Sequence, residues 1–361
     1  MEKCLAILPG DGIGPEVMAE ALKSLEAVSK RFRHTFRFKP ALVGGAAFDQ
    51  YGRHLPEETL AICKQTDAIL FGSVGGPINE SHLDKWKNCE LNALLGIRKA
   101  FHFGVNLRPA RVYPQLKEIC PLRTEVISAG VDMLIVRELL GGIYFGRKEN
   151  LIESGKRVAL DECRYDEQTI TTVARFAFGA AQQRRKKLTS VDKANILHCS
   201  KLWRTVVAEV SRDYPDVKLE NMLVDNCAMQ IIKNPAQFDV VLTENMFGDI
   251  LSDAAAVLPG SLGLTPSASL NSQGFGLYEP SGGSAPDISG KGIANPIAEI
   301  LSVAMLLRYS FGLSTEAAAI ENAVDLALDQ GIRTADIQKP GLRAASTAEV
   351  GDAIAKFIGE V

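Results

Sequence analysis

The chain has 361 residues, 46% of them hydrophobic and 23% charged, with a formal net charge of −3. That composition suits an ordinary globular protein with ample core, and the length suggests two domains. A balance this near neutral gives no electrostatic basis for gripping nucleic acid or an anionic membrane, and no apolar run approaches the roughly 20 residues that a membrane-crossing helix needs.

The sequence enters a strand pattern at once, at residues 4–8, which predicts no secretory leader. The turn Pro9-Gly10-Asp11-Gly12-Ile13-Gly14-Pro15-Glu16 follows, then a helix pattern over 17–29, with Pro15 suited to its first turn. The glycines resemble a dinucleotide fingerprint, but no acidic residue closes a second strand about 20 positions on. A sharp strand-to-helix turn whose amides face a ligand is therefore expected instead. A buried strand at 68–72 runs into the loop Ser73-Val74-Gly75-Gly76-Pro77, which lets backbone approach a ligand closely. Residues 91–103 read as helix, and 131–137 as a strand ending on Arg137. The stretch 155–166 alternates weakly and fits an edge strand or a small hairpin. A long helix is expected over 167–188, its basic end at Arg184-Arg185-Lys186-Lys187 opposing the helix dipole. A strand at 188–192 precedes Lys193, an amphipathic helix covers 202–214, and 238–243 is strand-like. Residues 259–292, rich in Gly, Ser and Pro, read mostly as loop with one short apolar stretch at 275–278. Helices over 294–313, 315–330 and 347–358 close the chain. This alternation predicts an α/β fold with a mainly parallel sheet. Seven cysteines, dispersed and without CxxC spacing, predict reduced thiols and a cytoplasmic home.

Chemistry concentrates in a few places. In the run 244–253, Asp249 and Asp253 stand four apart, so on a helix their carboxylates share a face one turn apart. Like charges so placed are unfavourable unless a cation sits between them, and hard oxygen donors suit Mg²⁺ or Mn²⁺. The bland alternative is a solvated acidic face. Against it stand the strand-like run just before and a similar pattern at 223–230, which offers a third acid, Asp225. Arg98 on a helix, Arg108 in an extended turn and Arg137 at a strand end would together bind a di- or tricarboxylate. Singly, each suits a surface ion pair. Lys193 at a strand end and Tyr144 in a Gly-rich loop fit proton carriers or plain packing. The small residues at 282–288 and 290–296 let amides reach a phosphate, and Asp287 could accept from ribose hydroxyls.

Eight segments carry a resemblance: LPGDGIGPEV (8–17), FGSVGGP (71–77), LLGIRK with NLRP (94–109), VRELLGGIYFG (136–146), VDKANIL (191–197), VDNCAMQ (224–230), ENMFGDILSD (244–253) and GGSAPDISGKGIANP (282–296). In this order they resemble the β-decarboxylating dehydrogenases of the isocitrate/isopropylmalate family, from about residue 4 to the end. The resemblance implies a two-domain α/β fold that is not Rossmann, with one domain at 1–103 plus 260–361 and the other, carrying a homodimer contact, at 104–259. It implies Mg²⁺ or Mn²⁺ on Asp249 and Asp253 of one subunit and Asp225 of its neighbour. Arg98, Arg108 and Arg137 would clamp the substrate carboxylates. Lys193, also from the neighbour, would accept the hydroxyl proton, and Tyr144 would protonate the enolate. NAD would lie on Ser73, Val74, Gly75, Gly76, Glu279, Gly283, Ser284, Ala285, Pro286, Asp287, Ile288 and Asn295, with Asp287-Ile288 selecting NAD over NADP.

Leu94 and Leu95, preceded by Glu90, replace the polar pair of the isocitrate members and imply 3-isopropylmalate as substrate, in leucine biosynthesis. Sister enzymes for D-malate, tartrate or homoisocitrate share nearly every such residue. A silent regulatory subunit would be expected to lack a ligand or Lys193, and none is missing. A phosphoryl-transfer protein would need a GxxxxGK[ST] loop, which the chain lacks.

Overall fold

A computed structural model describes residues 1–360. In chain order the strands are β1 (Glu2–Gly10), β2 (Thr35–Pro40), β3 (Ala68–Ser73), β4 (Val105–Arg111), β5 (Asp132–Glu138), β6 (Lys148–Glu153), β7 (Lys156–Asp161), β8 (Lys187–Asp192), β9 (Lys218–Leu223), β10 (Val240–Thr243), β11 (Pro266–Leu270) and β12 (Gly276–Pro280). The chain divides into two compact units. One takes Met1–His102, Tyr113–Ile119 and the chain from Pro259 onward; the other takes Phe103–Val112 and Cys120–Leu258.

In the first unit the strand order is β2-β1-β3-β12-β11. β1 runs parallel to β2 and β3, β3 parallel to β12, and only β11 is antiparallel to its neighbour β12. β3 reads Ala-Ile-Leu-Phe-Gly-Ser and is buried at every position, as befits a parallel strand covered on both faces. Helix Ile297–Tyr309 is buried over Ile297–Leu307, apolar nearly all round because it is the unit's inner helix. The β11–β12 hairpin corrects the long loop expected over 259–292. β11 reads Pro-Ser-Ala-Ser-Leu yet is buried throughout. Small residues without β-branches give no strand signal, and pairing with β12 supplies what propensity does not.

In the second unit the order is β4-β5-β10-β8-β9, with β4 antiparallel to β5 and the others parallel. One core packs Ile135, Val241, Cys227, Phe238 and Leu251 together. The long helix expected over 167–188 stops at Gln182. The basic run beyond it does not cap a dipole: Arg184 pairs with Asp132 and with buried Asp239, each at 2.9 Å, and the Arg185 amide donates to Asp239 at 2.9 Å. These contacts turn the chain into β8. The expected small hairpin at 155–166 begins earlier, as β6–β7. Its two-residue turn Ser154-Gly155 has both φ positive, the geometry that matches strand twist. Among the described residues no helix is long and apolar enough to cross a membrane.

Candidate functional site

In the second unit, chemistry gathers at the carboxyl ends of parallel strands, where α/β sheets place their sites. β5 and β10 pair with Arg137 opposite Thr243. The chain leaving β10 forms helix Asn245–Ala256, which passes close over Arg137. A Cβ on Gly248 would sit 2.6 Å from the Arg137 Cγ, so glycine is what the close approach requires.

This passage brings Asp249 onto Arg137 and Tyr144. The Arg137 Nη1 forms a short ion pair with Asp249 Oδ1, and the Tyr144 hydroxyl donates to Asp249 Oδ2 at 2.8 Å. Burial first, and then the Asp249 acceptor, raise the Tyr144 pKa and keep it a proton donor. The Tyr144 ring centre lies 5.8 Å from the Arg137 guanidinium, within cation–π range. Asp253 is exposed one turn further along the same helix. Arg108 lies in β4 rather than in a turn; Asn106 faces Arg137 across the strand pair, and the Arg108 Nε donates to Asn106 Oδ1 at 3.0 Å. Arg108 and Arg137 thus share one face of the pair as diagonal neighbours.

Lys193 and Asp225 form a second group. Lys193 follows β8, Asp225 lies in the first turn of helix Val224–Lys233, and Nζ meets Oδ1 at 2.6 Å. That hydrogen bond holds the Asp225 carboxyl below its ordinary range. Among the described residues of this single chain, no three His, Cys, Asp or Glu side chains converge as a metal site. Asp249 with Tyr144, and Lys193 with Asp225, are the pairings one chain makes.

Behind this edge lie acids that the sequence reading missed. Glu138 accepts from the Leu140 amide and, at 2.8 Å, from the Gly141 amide. Burial pushes it up to about 7. Glu244 accepts from the Ser200 hydroxyl and is likewise pushed by burial to about 7. Asn245 joins Arg137, Gly141 and Tyr165. Nothing in the residue spacing marks these groups, because each acts through a fold-dependent contact.

In the first unit, helix Cys89–Ala100 carries Glu90, Leu94, Leu95 and Arg98. Leu94 turns into the unit's core, whereas Leu95 and Leu91 are 36% and 56% exposed. Leu91, unmarked in the sequence reading, shares the exposed face with Leu95 and Arg98. Glu90 is exposed. The Arg98 Nη2 pairs with Glu279 Oε1 at 3.0 Å.

A cavity of about 370 Å³ lies beside the glycine turn, and its lining includes Ile13, Leu262, Gly283, Ile288, Asn295 and Asp336. Ser73 and Ala285 also line it, whereas Val74, Gly76, Glu279, Ser284, Pro286 and the exposed Asp287 are not in the lining. The turn's amides do not all await a ligand: Asp11 N donates to Ser73 O at 2.7 Å and Ile13 N to Ser284 O at 2.8 Å. The Asp11 carboxylate gathers the surrounding loops, accepting from the amides of Gly45 and Ala46 at 2.8 Å and of Gly75 at 3.0 Å. Asp336, missed in the sequence, accepts from Ser261, Thr334 and Asn295.

The isocitrate/isopropylmalate dehydrogenase family model matches residues 4–354. The chain is 55% identical to the 3-isopropylmalate dehydrogenase of Photorhabdus laumondii over 357 residues, covering 99% of this chain and 98% of that protein. It is 54% identical to that of Escherichia coli K12 with the same coverage. Among solved structures, an isocitrate dehydrogenase from Methylococcus capsulatus superposes with a TM-score of 0.84 at 32% identity, covering 99% of both chains. A β-decarboxylating dehydrogenase from Thermococcus kodakarensis gives 0.80 at 35% identity, covering 99% of this chain and 96% of that one.

Proposed function

The chain belongs to the isocitrate/isopropylmalate dehydrogenase family, and from that premise we propose that it oxidises and decarboxylates (2R,3S)-3-isopropylmalate with reduction of NAD. The products are 4-methyl-2-oxopentanoate and CO₂, in leucine biosynthesis. The full-length likeness to 3-isopropylmalate dehydrogenases carries this reading. The face of helix Cys89–Ala100 supports it, because exposed Leu91 and Leu95 stand beside Arg98. An apolar group flanked by carboxylates is what such a face fits.

Arg98, Arg108 and Arg137 bind the substrate's carboxylates. Lys193 accepts the proton of the C2 hydroxyl as the C2 hydride departs, and NAD supplies the hydride acceptor. Tyr144, kept protonated by its surroundings, returns a proton to C3 after CO₂ leaves. Asp225, Asp249 and Asp253 would hold Mg²⁺ or Mn²⁺. Their all-oxygen donor set fits such an ion, which when bound makes the C2 oxygen electron-poor in both steps. NAD fits the small-residue cavity beside the glycine turn, whose lining carries Ile13, Ile288 and Asp336. Asp287, exposed in the 282–288 loop that supplies Gly283, Ala285 and Ile288 to the lining, selects NAD by accepting from ribose hydroxyls and repelling a 2′-phosphate.

The enzyme works as a cytoplasmic homodimer, with Lys193 and Asp225 supplied from the second chain. Exposed Met229 and Ile232 on helix Val224–Lys233, Ile250 on helix Asn245–Ala256 and Ile152 on β6 support such a contact.

NADH formation with 3-isopropylmalate, D-malate and isocitrate, measured side by side, tests the substrate. Three more buried carbons allow on the order of 2 kcal/mol, so 3-isopropylmalate should exceed D-malate about thirtyfold in kcat/KM. Isocitrate should be poor, because its extra carboxylate would be desolvated against leucine. Equal efficiency on isocitrate overturns the reading.

A further inference from the structure

Arg137 is 5% exposed, and its guanidinium is oriented by groups of its own unit. The Nε and Nη2 both donate to Asn245 Oδ1, at 3.1 and 2.9 Å, while Nη1 meets Asp249. Asn245 is the first residue of the helix that carries Asp249 and Asp253, and it is 1% exposed. Its other amide atom, Nδ2, donates to the Gly141 carbonyl at 3.1 Å. The flipped amide would set N–H against N–H at Arg137 and oxygen against oxygen at Gly141, so the arrangement has one sense. The Asn245 amide N–H donates to the Tyr165 hydroxyl at 2.8 Å, which fixes the backbone from behind. Gly141 also donates to Glu138 at 2.8 Å and stands three residues before Tyr144.

We propose that Asn245 is a positioning residue, whose carboxamide orients Arg137 for a substrate carboxylate and ties it to the loop bearing Tyr144. Only a side chain with an acceptor on one side and a donor on the other satisfies both neighbours. Aspartate has no donor for the Gly141 carbonyl, and alanine meets neither. Without the amide, Arg137 keeps its ion pair to Asp249 and loses the bonds from Nε and Nη2 to Asn245, so its plane is held less firmly for the substrate carboxylate. This inference rests on the substrate reading above.

A double-mutant cycle of Asn245→Ala and Arg137→Ala, assayed with 3-isopropylmalate and NAD, tests it. Asn245→Ala should raise KM for 3-isopropylmalate about tenfold or more while KM for NAD stays within about twofold. In the Arg137→Ala background the same change should add less than about threefold, because its effect passes through a side chain already gone. Asn245→Ser, polar but too short to reach Arg137, enters the same cycle if the alanine variant does not fold. Effects that multiply in the double variant, or equal rises in both KM values, would overturn the positioning role alone. A wild-type enzyme inactive on 3-isopropylmalate would overturn the substrate reading and the inference with it.

Discussion

Glu138 is a buried acid that follows Arg137 at the end of β5, and its environment makes a statement about stability. Its folded pKa, about 7, lies above the ordinary 4.5 because burial disfavours the charge. The folded chain therefore holds this proton more tightly than the unfolded chain does. The group's contribution is fully present below pH 4.5 and is lost as pH rises through 7. The whole window amounts to about 3 kcal/mol, of which roughly 2 falls between pH 5 and pH 8. Glu138→Gln keeps an acceptor for one of the two amides and cannot ionise. Wild type should therefore lose thermal stability relative to this variant as pH is raised from 5 to 8. Thermal melts of both proteins at the two pH values check this, and a Tm difference that does not move with pH would show that Glu138 is already ionised at pH 5. Glu244, also near 7 and raised in part by Glu138, should titrate more easily in the variant.

At the scale of elements, the glycine turn between β1 and helix Gly14–Phe32 borders, through Ile13, the cavity proposed above for NAD. Gly12 has φ +59°, and a Cβ there would sit 2.0 Å from the Ser284 carbonyl oxygen. That same oxygen accepts from Ile13 N. Gly12→Ala would impose about 1–2 kcal/mol of left-handed strain and push the 282–288 loop away from the turn. KM for NAD should rise about tenfold, with KM for 3-isopropylmalate nearly unchanged; steady-state kinetics with each substrate varied would decide. An equal rise in both would place the turn's role elsewhere. The elements themselves were unequally legible. β3, β5 and β10 announce themselves as apolar runs because both their faces are covered. β11 does not, since Ser267, Ala268 and Ser269 are buried by tertiary packing rather than by their own character. That Asp249 and Asp253 lie one turn apart on a single helix could be read from their spacing. Asn245, Glu138 and Asp336 could not, because a single amide or acid acquires meaning only from what the fold sets against it.

At the scale of the molecule, one chain pairs Lys193 with Asp225 and, separately, Arg137 and Tyr144 with Asp249. If the proposed homodimer shares its sites, each site combines Asp249 and Asp253 of one chain with Lys193 and Asp225 of the other. A Lys193→Met homodimer should then be nearly inactive for want of a proton acceptor, and an Asp249→Asn homodimer for want of a metal ligand. Co-expression yields a hybrid with one chain of each kind, separable by different affinity tags. In that hybrid, the site built on the Lys193→Met chain keeps its own Asp249 and receives intact Lys193 and Asp225 from its partner. The opposite site carries both lesions. The hybrid should recover about half of wild-type kcat, provided that the sites act independently. If each chain completed its own site, every site in the hybrid would carry one lesion, and its activity would stay at the level of the two parents. Activity of the purified hybrid against both homodimers, at concentrations where the dimer does not exchange subunits, therefore separates a shared site from a self-contained one.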